Sequence, residues 1–171
     1  MARFVHLTPE KNVKAILRGG IKPGRTWSPR SEVPIGVFIL PVTPHFYISH
    51  QWLRELKRQG QRTIMGVYIR LPDDEVVWIA HYNAQHRSMT AAEAAGVVRK
   101  MGTAAEGYEI ILPRKVEKSE IHQVRSLPQV LGWRYDPASH TKPFCGCIVC
   151  VPPGTPRSRI KNITWEKKVN S

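Results

Sequence analysis

Phe4-Val5-His6-Leu7-Thr8, running into Pro9-Glu10-Lys11-Asn12-Val13-Lys14-Ala15-Ile16-Leu17-Arg18-Gly19-Gly20-Ile21-Lys22-Pro23-Gly24, is the stretch from which the rest of the chain can be read. A short apolar run ending in His-x-Thr predicts a strand. Val13, Ile16 and Leu17 then recur at i, i+3 and i+4, the stripe of an amphipathic helix over 9–18. Thr8 is placed to cap that helix, Pro9 to take its first position, and Gly19-Gly20 to supply a left-handed exit. One strand thus carries a histidine to its own end and turns into a helix.

A histidine at that point has two readings. It can hydrogen-bond beside a core, or it can line the cleft that opens where a strand ends. The features around His6 form a recognisable order. Strand-His-x-Thr, a short helix and Gly-Gly-Ile-Lys-Pro-Gly resembles the opening of the ADP-ribosyltransferase superfamily, in which the histidine begins an NAD-binding triad written His-Tyr-Glu. The resemblance implies an aromatic residue further along and a glutamate on a late strand.

Glu109 is the acid that fits. It begins the apolar run Glu109-Ile110-Ile111-Leu112-Pro113, and a carboxylate there is costly unless it sits at a strand end, is paired, or faces a cleft. A structural ion pair would also explain it. The run continues through Lys115, Val116 and Ile121, and it resembles the family's glutamate strand. By that resemblance Glu109 is the catalytic residue: it contacts the ribose beside nicotinamide and stabilises the positive charge that forms as nicotinamide leaves, an anion matched to the transition state rather than the ground state.

The aromatic member is either Phe38, where the family has Gly-x-Tyr and this chain has Gly36-Val37-Phe38, or Tyr47 on the next helix. Both also suit a core. The resemblance therefore sets NAD against His6, Leu7, Thr8, Phe38 and Tyr47, with Arg25 of the Pro- and Ser-rich loop 25–34 near the diphosphate. Two positions depart from the family pattern. Leu7 stands where several branches have Gly, and Gly107 precedes Glu109 by two where arginine-modifying members have Gln or Glu, which disfavours an arginine target.

The remaining chain reads as alternating elements. Gly36–Pro41 is a buried strand, Thr43-Pro44 opens a helix over 44–59, and Thr63–Leu71 is a strand with Val76–Ile79 as a hairpin partner. His81–Ser88 is polar and irregular. Thr90-Ala91-Ala92-Glu93 is a capping box opening a helix over 90–101, with Ala94, Val97, Val98 and Met101 as its stripe. A short strand follows around Ile121–Val124. The fold class is α+β, and the resemblance implies a split β-sheet sandwich of two mostly antiparallel sheets with flanking helices. Residues 1–126 form the ADP-ribosyltransferase-like domain, and 127–171 a basic extension packed on it.

Composition narrows the partners. The 171 residues carry 26 Lys+Arg against 13 Asp+Glu, a net charge of +13. The excess is split between 1–72 (12 basic, 3 acidic) and 114–171 (11 basic, 4 acidic), around a mildly acidic middle. Such charge favours phosphate-rich partners, DNA or RNA, or an acidic protein inhibitor. Arg30, Arg87, Arg157, Arg159 and Lys161 are the candidate nucleic-acid contacts. Without a long apolar span or an N-terminal apolar segment, the expectation is a cytoplasmic protein that does not engage a membrane.

His140, Cys145, Cys147 and Cys150 place one imidazole and three thiols close together, a donor set for a tetrahedral structural zinc, although Cys-x-Cys is a tight bite. A buried thiol cluster is the competing reading.

Taken together, the sequence predicts an NAD-dependent ADP-ribosyltransferase acting on nucleic acid, similar in outline to DNA-modifying toxins of toxin–antitoxin systems. An RNA 2′-phosphotransferase-like enzyme, to which His81, His86 and Arg87 would belong, and a non-catalytic module binding nucleic acid or an acidic partner are the alternatives. For the cysteine cluster the test is elemental analysis: zinc appears as about one ion per chain and is lost, with stability, in Cys147→Ser. Metal-free folded protein would leave the thiol cluster.

Overall fold

Strand β1 (Ala2–Pro9) is the axis of the structure. In the computed structural model the described residues are 1–24, 35–58, 60–82 and 84–129, all within the unit Met1–Tyr135. Residues 25–34 and those beyond 129 lie outside them. β1 pairs along its whole length with β3 (Ile64–Leu71), from Ala2↔Leu71 to Pro9↔Ile64. On its other edge it pairs with β2 (Val37–Pro41) only at Phe4↔Pro41 and Val5↔Leu40. The remaining strands are β4 (Val76–His81), β5 (Arg87–Thr90), β6 (Tyr108–Leu112) and β7 (Ile121–Ser126). The order is β5-β4-β6-β2-β1-β3-β7, antiparallel throughout.

The α+β class is therefore as expected, but the described strands form one seven-stranded sheet rather than two packed sheets. Its halves, β1-β3-β7 and β2-β6-β4-β5, meet at the short β1–β2 joint. The expected β3–β4 hairpin is absent because both edges of β3 are taken, by β1 and β7. β4 pairs instead with β6 and with β5 (Arg87–Thr90), a strand that begins inside the segment expected to be irregular.

The helices are shorter than their periodicity implied. Because β3 holds β1 straight to Pro9, Thr8 stays in the strand, buried, and caps nothing. A 3-10 turn (Glu10–Asn12) leads into α1 (Val13–Gly19), and Gly20 exits at φ +78°. The long second helix is two short ones, α2 (Phe46–Ser49) and α3 (Leu53–Arg58), interrupted at His50-Gln51-Trp52. The capping box is present as read. Thr90 and Glu93 exchange their bonds at the start of α4 (Ala91–Met101), which buries Ala91, Ala94, Ala95 and Val98.

Strand alternation sorts the core onto two faces. On one, Phe4, Ile39, Val67, Ile69, Ile79, Ile110 and Leu112 pack with α4. On the other, Val5, Leu40 and Tyr68 pack with Leu7, Val42 and Trp52. Leu53 of α3 joins Ile64 and Leu127 there. Past β7, Gln129 bonds both backbone groups of Ile64, so the chain after 126 begins docked on this body.

Arg114, in the turn after β6, ties the two halves together. Its guanidinium bonds Glu75 at the head of β4 (2.6 and 3.0 Å) and Glu120 at the head of β7 (2.7 and 2.9 Å). Glu120 is held below its ordinary pKa, chiefly by these bonds. This stability is present above pH 4.5 and lost as pH falls through the lowered value. With the Arg114 side chain 35% exposed, Arg114→Met is expected to cost roughly 1–2 kcal/mol at pH 7. In thermal melts the deficit should shrink in acid. A deficit independent of pH would mean that packing of the arginine stem, not the ion pairs, matters.

Candidate functional site

Where β1 and β2 part after their two-residue joint, a cleft of about 340 Å³ opens on the α3 face of the sheet. Its walls come from β1 (Val5, His6, Leu7), β2 (Phe38, Ile39, Leu40), α3 (Glu55, Leu56), and Trp52, Tyr82 and Glu109.

His6 stands at the parting. Its Nδ1–H donates to the Phe38 carbonyl at 2.8 Å, a group that a continued β1–β2 ladder would have faced. A carbonyl cannot donate, so Nδ1 carries the proton and Nε2 is left with its lone pair. Enclosure between the strands lowers the pKa of His6, with the Phe38 bond opposing. The ring is therefore neutral at physiological pH.

Glu109 is positioned by several independent contacts. β6 lies between β4 and β2, and Ala80↔Glu109 fixes its register. The residues just before it are clamped by the break between α2 and α3. The fully buried Gln51 accepts from the Gly107 amide (2.7 Å) and donates to the Ala105 carbonyl (3.2 Å), while the Trp52 indole N–H donates to the Tyr108 carbonyl (2.9 Å). Gly107 itself has φ +81°, and a Cβ there would sit 2.6 Å from the His81 ring. A side chain at this position would be strained at that φ and would have to displace the His81 ring.

Beside Glu109 lies His86, which the sequence offered only to the 2′-phosphotransferase-like alternative. The His86 side chain is 4% exposed, and its Nε2 approaches Glu109 Oε1 to 3.0 Å without the alignment of a hydrogen bond. Burial lowers the pKa of His86 and raises that of Glu109, the latter opposed by His81. A neutral imidazole thus sits against a carboxyl whose charged form is disfavoured.

The aromatic part of the wall also differs from expectation. Phe38 is 42% exposed and lines the cleft, whereas Tyr47 packs against the main core and is not among the lining residues. Trp52 and Tyr82, their rings 5.8 Å apart, contribute instead. Trp52, Glu55 and Leu56 share the i, i+3, i+4 spacing on which an apolar helix face is read, and an acid on that face was the available signal. Tyr82 follows a strand end in polar sequence and gave none.

Of the other expected site residues, Leu7 lines the cleft. Thr8 is buried and accepts from Asn12, outside the lining. Arg87 is exposed on β5, at the sheet edge opposite β7. Arg25, Arg30, His140, Cys145, Cys147, Cys150, Arg157, Arg159 and Lys161 lie outside the described residues.

The chain matches no protein-family model and no curated protein. Its chemistry has to be read from the cleft: apolar and aromatic walls, one neutral imidazole with a free lone pair, and a desolvated carboxyl. A carboxylate held in that setting is relieved when positive charge develops next to it.

The raised pKa of Glu109 has a thermodynamic sign. Its folded-state value exceeds the ordinary 4.5, so the associated stability is complete below pH 4.5 and lost as pH rises through the raised value. Glu109→Gln should therefore melt a few degrees above the parent at pH 8, with the gain vanishing at low pH. A variant less stable than the parent at pH 8 would show that Glu109 is a structural ion-pair partner.

Proposed function

We propose that the protein is an NAD-dependent ADP-ribosyltransferase whose acceptor is a nucleic acid. The observation that carries this reading is that His6 and Glu109, far apart in sequence, line one cleft with Phe38 on the strand between them. These are the residues singled out by the resemblance to ADP-ribosyltransferases.

The cleft suits the nicotinamide end of the dinucleotide. Phe38, Trp52 and Tyr82 offer aromatic surface to a flat ring, and the walls include Val5, Leu7, Leu40 and Leu56. His6 Nε2 accepts from a carboxamide or ribose hydroxyl, and the Phe38 bond fixes the ring for that task. What NAD brings is a glycosidic bond whose leaving group departs neutral with the bonding pair. Glu109 faces the charge left on the ribose, and its desolvation makes that interaction stronger than it would be in water.

The net charge of +13 supports a polyanionic acceptor. It also suits the alternative of a non-catalytic nucleic-acid module, which differs in having no NAD turnover.

Labelled NAD and a panel of DNA, RNA and protein acceptors separate these readings. Glu109→Gln should keep the fold and most NAD affinity yet lower turnover by two or more orders of magnitude, about 3 kcal/mol of transition-state stabilisation. His6→Ala should raise KM for NAD before it lowers kcat. Full transferase activity in Glu109→Gln would remove the residue from the mechanism, and nucleic-acid binding without any NAD turnover in the parent would favour the binding module.

A further inference from the structure

The strands β1, β3 and β7 contain three arginines and not one Asp or Glu. Register places all three arginines on one face. Arg3 lies directly opposite Arg70, Val5 opposite Tyr68, and Leu7 opposite Gly66. Across β3, Tyr68 is opposite Gln123 and Gly66 opposite Arg125. Since side chains alternate, Arg3, Val5 and Leu7 point the same way, and Val5 and Leu7 are walls of the cleft. The basic surface and the cleft share one face of the sheet.

A bulge in the β3–β7 ladder at Tyr68/Ile69 adds His122 to this face, and its ring meets the edge of Tyr68 at 6.2 Å. The Arg125 guanidinium lies over the Tyr68 ring at 5.4 Å. Arg3, Arg70, His122, Gln123 and Arg125 are all exposed.

Like charges directly opposed across a strand pair destabilise a sheet. Among the described residues neither Arg3 nor Arg70 makes an ion pair, and three of the acids near the ends of these strands are engaged elsewhere. Asp73 holds the Met1 amino group, and Arg114 holds Glu75 and Glu120. The burial-lowered pKa of His122 is lowered further by Arg70, Arg3 and Arg125, so the four groups lie within electrostatic reach of one another.

We infer that this face, through Arg3, Arg70 and Arg125 with His122 and Gln123 between them, binds the phosphodiester backbone of a single-stranded nucleic acid. From the Arg3/Arg70 pair to Arg125 is about 13 Å along the strands and about 5–10 Å across them. That spread suits successive phosphates of a chain better than one small anion. The exposed imidazole beside Tyr68 and the Gln123 amide supply the stacking and hydrogen-bonding groups that single strands use. The inference deepens the acceptor half of the proposed function, but it concerns binding alone and needs no NAD chemistry.

The test is fluorescence anisotropy of the full chain with labelled single-stranded DNA and RNA oligonucleotides, without NAD, over a salt series. R3Q/R70Q/R125Q is compared with R18Q/R99Q/K100Q, which removes the same charge from exposed helix positions. The sheet-face variant should bind at least about tenfold more weakly, and its slope of log affinity against log salt should be shallower by about 2, as expected for three lost phosphate contacts. Its melting temperature should hold or rise, because an opposed arginine pair has gone. The helix variant should keep most of the affinity and slope. Equal losses in the two variants would reduce the effect to net charge and overturn the assignment. So would unchanged binding by the sheet-face variant, or polyglutamate binding as tightly as the oligonucleotides with the same arginine dependence. Retained binding in Glu109→Gln with no turnover in any variant would count against NAD chemistry and leave this surface standing.

Discussion

The 2.8 Å bond from His6 Nδ1–H to the Phe38 carbonyl sits where β1 and β2 stop being neighbours in a ladder. A backbone carbonyl left facing a parting sheet needs a donor, and the imidazole provides it. The same bond fixes the tautomer and leaves Nε2 for a ligand. Without such a group the two strands would have to continue pairing, closing the cleft, or leave a carbonyl unsatisfied at a cost of roughly 1–3 kcal/mol. The rest of the site depends on this gap: α3 roofs it, β6 brings Glu109 to it, and the wall residues face each other across it.

Glu109 is held by structure that would be excessive for a surface acid. Gln51 and Trp52 leave the helix to clamp residues 105–108, Gly107 takes a left-handed conformation against His81, and His86 is buried with a ring nitrogen lacking a hydrogen bond. The buried imidazole nitrogen without a hydrogen bond costs stability where it occurs. Desolvation gathered around one carboxyl is what the electrostatic role proposed for Glu109 requires. Arg114, fully bonded between Glu75 and Glu120, shows how the same chain treats a charge whose task is cohesion.

Local signals in the sequence were sound where a single element decides the outcome. The strand carrying His6, the capping box at Thr90 and the apolar strand behind Glu109 were all legible from pattern, although β1 runs past His6 to Pro9 instead of ending there. Features set by pairing between distant segments were not. The extension of β1 to Pro9 comes from β3, the break at His50-Gln51-Trp52 comes from the 105–108 turn, and β5 exists because β4 offers it an edge. The same holds for the site: His6, Phe38 and Glu109 stand on strands and could be picked out, while Tyr82 and His86 arrive through tertiary contact. The arginine face was hidden because Arg3, Arg70 and Arg125 become neighbours only through register.

The central claim is that His6 is a neutral, Nδ1-protonated imidazole on the wall of the cleft, with Nε2 left to accept from the proposed NAD. Nitrogen-15 NMR of the histidine side chains, recorded with and without NAD, tests it most directly. The account predicts an Nδ1–H tautomer for His6 with a pKa below the ordinary 6.5, and an Nε2 shift that moves on NAD addition. An Nε2–H tautomer, or a His6 signal indifferent to saturating NAD while the fold is intact, would contradict it.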